Sequence, residues 1–215
     1  MASDFRLTWN IFTVCLFAIT LLAVSLFSSR VHPPELPPPI PVTTIPDITP
    51  SHIEASFLAK ETVSISSETR LLLLPHHLVA GREIASTLTS LRAPQRVLLL
   101  SPDHFSQGKT AFSLARQRFR GPEYTIDPDL QLIEQLTRAL DQDLTIDPAV
   151  FQKEHGVYGL LPFIHRAWPE TSVTALSVRN DSSPRAVQRL SDTLQRLIER
   201  DDDLLVVITI DFSHD

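Results

Sequence analysis

Four short apolar runs in this chain each end in a cluster of polar, chemically capable residues. Residues 71–74 lead into Pro75-His76-His77, and residues 96–100 lead into Ser101-Pro102-Asp103-His104. Residues 172–178 lead into Arg179-Asn180-Asp181, and residues 204–210 into Asp211-Phe212-Ser213-His214. In an open parallel α/β sheet the C-terminal ends of the strands share one edge, and ligands bind along it. Three of the four run ends carry histidine, which marks that edge as a candidate metal or acid–base site. Helical periodicity fills the intervals, at 81–91, 128–140, 158–168 and 184–200. In the last of these, Val187, Leu190, Leu194 and Leu197 fall on one face, with the arginines largely elsewhere. Pro128 and Pro184 suit a first helical turn, with Asp127 and Ser183 before them as N-caps. Residues 111–115 and 123–126 read as a short extended insertion, a hairpin around Gly121-Pro122. Alternation of strand and helix predicts an α/β fold with a mostly parallel central sheet flanked by helices.

A chain of 215 residues allows one such domain plus extras, and 43% hydrophobic content is enough for a packed core. The net charge of −6 leaves no basic footprint for nucleic acid. The single cysteine, Cys15, excludes a disulfide within the chain. No charge occurs between Arg6 and Arg30. As a helix the window 7–29 is roughly 34 Å long, against a hydrocarbon core of about 30 Å. Three readings compete for it: a single spanning anchor, a cleaved signal peptide, or a buried core helix. The anchor is preferred, because the run is long for a signal h-region and no clear small-x-small cleavage site follows. Arg6 and the α-amino group outweigh Arg30, so the soluble domain is expected on the outer, non-cytoplasmic side of a single-pass protein. The prolines after Arg30 exclude helix or central strand and read as a semi-rigid tether. The expected organisation is an anchor with a short tail at 1–30, a Pro-rich linker at 31–52 and an α/β domain at 53–215. The chain stops soon after its most apolar strand, so the domain reads as incomplete at its C-terminus, a fragment.

His76, at the end of an apolar strand, can offer a neutral imidazole nitrogen to a metal or act as a base. Asp103 can orient the imidazole of His104, or both can ligate. Glu154-His155 places a charged pair just before a helix, where an acidic residue also suits the helix dipole. Asp211, Ser213 and His214 are too close in sequence to form a hydrolase triad among themselves. No G-x-S-x-G elbow occurs, and neither phosphate-binding glycine motif is present.

The order P-H, L-x-P-x-H, E-H-x-x-x-x-x-L-P-F and D-F-S-H resembles the Memo family, which includes the bacterial AmmeMemoRadiSam system protein B. The resemblance runs from about Leu71 to Asp215. The family is similar in structure to the class III extradiol dioxygenases, which are non-haem iron enzymes. It implies an α/β domain with a metal-capable pocket at the strand ends. By resemblance, His76 and His104 match the family's metal-site histidines. Glu154 with His155, and Asp211 with His214, match pairs that line its pocket, and Asp103 stands where Ser or Asn is usual. Gly156 replaces the serine that follows Glu-His. The family's remaining ligand position, a cysteine, lies beyond the D-x-S-H segment, so a complete site needs Asp211, His214 or another group instead.

Two functions follow from the resemblance. One is a membrane-tethered accessory or interaction protein with a histidine-lined pocket for iron, copper or zinc, working with partners of an AmmeMemoRadiSam-type system. The other is a non-haem metal-dependent oxidoreductase with His155 or His214 as the acid–base group. Fold resemblance alone does not decide between them. Either way, His76, His104, His155 and His214 are expected to converge on one pocket.

Overall fold

Short apolar runs at 71–75, 96–102, 172–178 and 204–210 form four adjacent strands of a six-stranded sheet. The structure, a computed structural model, describes residues 39–46 and 50–211. In chain order the elements are β1 (Val42–Thr44), α1 (Pro50–Leu58), β2 (Leu71–Pro75), α2 (Gly81–Thr89), β3 (Arg96–Pro102), β4 (Phe112–Leu114), β5 (Arg118–Arg120) and β6 (Thr125–Ile126). They continue with α3 (Leu130–Leu140), β7 (Leu144–Ile146), α4 (His155–Tyr158), α5 (Leu161–Ala167), β8 (Ser172–Val178), α6 (Pro184–Arg200) and β9 (Leu204–Ile210). The main sheet runs β2-β9-β3-β8-β4-β7, parallel except between β8 and β4. A small second sheet, β1-β5-β6, contains the antiparallel β5–β6 hairpin around Gly121-Pro122.

Successive residues of β3 bury on opposite faces, as a period of two demands. Val97 and Leu99 join Val173, Ala175, Leu205 and Val207 beneath α2 and α5, where Ile84, Leu88 and Phe163 pack. Leu98 and Leu100 join Leu176, Leu204 and Val206 beneath α3 and α6, where Leu132, Leu136, Leu190 and Leu194 pack. Each such leucine, fully buried, stabilises the fold by about 1.5–3 kcal/mol. Ser183 caps α6 as expected, accepting from the Ala186 amide, whereas α3 is capped by Asp129 rather than Asp127. Val187 is 46% exposed, because the α6 stripe that meets the sheet is centred on Leu190 and Leu194. Residues 112–114 belong to the main sheet rather than to the hairpin: their backbone pairs with β8 and β7. β1 and α1 form in or beside the segment read as linker; Ile45, Ile53 and Phe57 are buried in the core there.

The spanning helix expected at 7–29 lies outside the described residues. Among the described residues no helix is long and apolar enough to cross a membrane. The longest, α6, has 17 residues and is amphipathic, its leucines spent on the sheet and its arginines facing out. The expectations of a transmembrane helix, of the membrane as a partner, of single-pass topology with the domain outside and of a membrane-tethered function are corrected on this finding. The architecture is a mixed α/β domain with a central sheet flanked by helices.

Candidate metal centre

β2, β3 and β9 end side by side, so the residues that follow them meet at one corner of the sheet. β2 delivers His76 and His77, β3 delivers His104 after a two-residue step, and β9 delivers Asp211. The fourth contributor is α4, a single turn whose N-cap is Glu154 and whose first residue is His155. Two glycines let this turn pack against the strands. A Cβ on Gly156 would lie 2.1 Å from Ser101 Oγ, and one on Gly159 would lie 2.6 Å from the His76 carbonyl oxygen. At Gly156, where a serine was expected after Glu-His, an added methyl group would have to displace the Ser101 hydroxyl.

The imidazole rings form a tight group. Ring centres are 4.9 Å apart for His76 and His104, 5.0 Å for His76 and His155, and 4.1 Å for His104 and His155. One nitrogen from each of these three rings lies within 4.8 Å of the other two. Cis ligands at Zn–N distances of about 2.0–2.1 Å sit roughly 3 Å apart, so small side-chain rotations would close the set on one ion. A second set shares His76 with His77 and Asp211. Asp211 Oδ1 lies 2.9 Å from His77 Nε2 and 3.0 Å from His76 Nε2, and its Oδ2 lies 3.4 Å from His104 Nε2. The carboxylate thus faces three imidazoles at once.

Glu154 is fully buried and fixes the orientation of His104. It accepts hydrogen bonds from Ser101 Oγ at 3.1 Å, from the His104 amide at 3.1 Å and from the Gly156 amide at 3.0 Å. Its Oε1 is 2.5 Å from His104 Nδ1. With a carboxylate oxygen accepting there, Nδ1 carries the proton, which leaves Nε2 as the nitrogen turned toward the cluster. This is the carboxylate–histidine arrangement that orients metal-binding imidazoles. His76 Nδ1 and Nε2 and His104 Nε2 are buried and lack a hydrogen-bond partner; the approach of His76 Nε2 to Asp211 is not aligned as one. Buried polar nitrogens left unpaired cost about 1–3 kcal/mol each, a cost that a coordinated ion removes. Burial pushes the His76 imidazole down to about 4; Asp211 opposes this, and the neighbouring histidines add to it. Burial also lowers His155, helped by His104 and opposed by Glu154 and Asp211. Both shifts favour the neutral, ligating form.

Of the residues singled out from sequence, His76, His104, His155, Glu154 and Asp211 come together, and His214 lies outside the described residues. The rings of His76 and His104 are in contact rather than in separate places. Asp103 is buried but turns to its own loop, accepting from the amides of Gln107 at 3.0 Å and Gly108 at 2.7 Å. That loop includes Ser106 in the left-handed region (φ 51°), a turn that the Asp103 carboxylate holds in place. His77 and Ser101 were not singled out as site residues. His77 shares Asp211 with His76, and Ser101 supports Glu154. The signal for His77 was the His-His pair itself, since a strand end can turn both rings to one side. The ligand set contains nitrogen and oxygen donors suited to iron, copper or zinc, and these clusters can hold a divalent metal ion.

Residues 49–215 match the family model described as Memo-like protein. A MEMO1 family protein of Aquifex aeolicus is 25% identical over 162 residues, covering 72% of this chain and 43% of the relative. One of Caldivirga maquilingensis is 24% identical over 122 residues, covering 56% of this chain and 43% of the relative. The chain thus spans less than half the length of these curated relatives. The crystal structure of an uncharacterized protein from Escherichia coli K12 aligns with a TM-score of 0.47 and 18% identity, over 62% of this chain and 53% of that one. With the family model covering the α/β domain from α1 onward and the histidine corner built from the motif residues, this chain belongs to the Memo family.

Proposed function

We propose that this domain holds one divalent metal ion at the strand-end corner, an accessory role that requires no turnover by the domain itself. The carrying observation is the set of buried nitrogens on His76 and His104 that lack a hydrogen bond, grouped with His155 and Asp211. His104 presents Nε2 because Glu154 holds Nδ1. His76 stays neutral because it is buried. His155 completes a three-nitrogen face, and Asp211 supplies the negative charge that balances a cation. An ion bound there would supply Lewis acidity and, for iron or copper, access to redox chemistry. Phe105, half-exposed and 5.7 Å edge-on to His155, shields that ring from one side.

The test is metal content after reconstitution with Fe(II), Cu(II) or Zn(II) and dialysis. The 215-residue chain is expected to retain about one equivalent, and a His76→Ala/His104→Ala variant to lose it. Metal retained equally by the double variant would overturn the assignment, and so would the absence of retained metal in the unaltered chain.

A further inference from the structure

A second concave site lies at the opposite end of the sheet from the histidines, in the groove between α3 and α6. Its volume is about 510 Å³, within the range of roughly 300–1,000 Å³ typical of small-molecule sites. Four guanidinium groups line it, those of Arg96, Arg138, Arg196 and Arg200, in a protein whose net charge is −6. Their pairing is uneven. Arg96 is neutralised by Asp129 and Asp201, each at 3.2 Å, and Arg138 pairs with Glu134 on its own helix. Arg196 and Arg200 have no carboxylate partner among the described residues; Arg196 donates only to the Thr193 hydroxyl at 3.0 Å. The helix dipole accounts for Arg138 and Arg200, each in a last turn. It does not account for placing Arg196 one turn before Arg200 on the same side, a like-charge i,i+4 arrangement that is itself unfavourable. Gln131 and Gln135 on the facing helix add amide donors.

We propose that this groove binds a small phosphate-bearing anion, held by the forks of Arg196 and Arg200 with Arg138 and the two glutamine amides around it. Guanidinium forks match phosphate oxygens in pairs, and a bound anion relieves the repulsion within the cluster. The groove is larger than a single phosphate requires, so the expected ligand carries more than one anionic group or an attached organic moiety.

The experiment is calorimetric titration of the 215-residue chain with pyrophosphate, at constant ionic strength and with EDTA present. Inorganic phosphate and sulfate serve as comparison arms. Saturable pyrophosphate binding is expected, tighter than that of sulfate. It should weaken at least tenfold in Arg196→Gln/Arg200→Gln and less in Arg196→Lys/Arg200→Lys, and it should be unchanged in His76→Ala/His104→Ala. Both arginines are exposed and glutamine has a similar helix propensity, so the variants should keep the parent circular dichroism spectrum. Non-saturable binding, binding that survives the glutamine pair, or binding lost in the histidine pair would each overturn the proposal.

Discussion

His76 carries the sharpest residue-scale consequence, because it is buried and its imidazole is depressed to about 4. In the unfolded chain the same group titrates near 6.5. Between those values the unfolded state binds the extra proton. The stability that His76 contributes is therefore complete above pH 6.5 and declines as pH falls toward 4. The expected loss over that window is about 2–3 kcal/mol in metal-free protein. Urea denaturation at pH 7 and pH 4.5 in EDTA measures it, with His76→Asn as the reference. An equal pH dependence in both proteins would show that His76 is not held neutral by burial. Gly156 gives a second residue-scale expectation. A methyl group there meets Ser101 Oγ, whose hydrogen bond to Glu154 keeps it in place. Gly156→Ala should cost about 1–3 kcal/mol by overpacking, and less when Ser101→Ala has already removed the oxygen. Equal cost in both backgrounds would mean that the contact is relieved elsewhere.

At the scale of elements, α4 ties the site to the fold. One carboxylate, Glu154, both starts this single turn and orients His104. Glu154→Gln keeps the size but replaces one acceptor oxygen with an amide donor, among neighbours that are themselves donors. Metal affinity should fall by about 10–100-fold, the usual effect of losing such a support, with the α/β fold retained in far-UV circular dichroism. Competition titration against a chromophoric chelator reads the affinity, and an unchanged value would detach Glu154 from the site. The same element shows what the sequence disclosed. The run at 204–210 and the three like it were legible as strands because they are short, apolar and followed by polar clusters, and α6 because its leucines recur at helical spacing. β7 was not, since a three-residue strand such as Leu144–Ile146 carries too few residues for a period to register, and β4 was legible as extended chain but not as a member of the main sheet. β1 was hidden by the prolines around it, because parallel pairing with β5 lets an edge strand form beside them.

At the scale of the whole molecule, two covered faces of one sheet bring residues from positions 76, 104, 155 and 211 to a single corner. His214 lies outside the described residues, but the meeting of His76, His104 and His155 was legible in the sequence, since two motifs at strand ends and one before a helix point to one edge. The division of labour among them was not. Asp103 and Asp211 both follow apolar strands, yet only the backbone path decides that Asp103 folds into its own loop while Asp211 faces the imidazoles. The missing third ligand shows the same limit, because His155 and Asp211 reach His76 only through tertiary packing. The expected membrane span rested on the apolar stretch at 7–29, which lies outside the described residues; among these no helix is long and apolar enough to cross a membrane. The central claim is that the corner coordinates a metal, and anomalous diffraction from crystals of the chain loaded with Zn(II) tests it most directly. The expected result is one dominant peak about 2.0–2.2 Å from nitrogens of His76 and His104, with His155 or Asp211 as a further ligand. A dominant peak elsewhere on the chain, or none at this corner in zinc-loaded crystals, would contradict it.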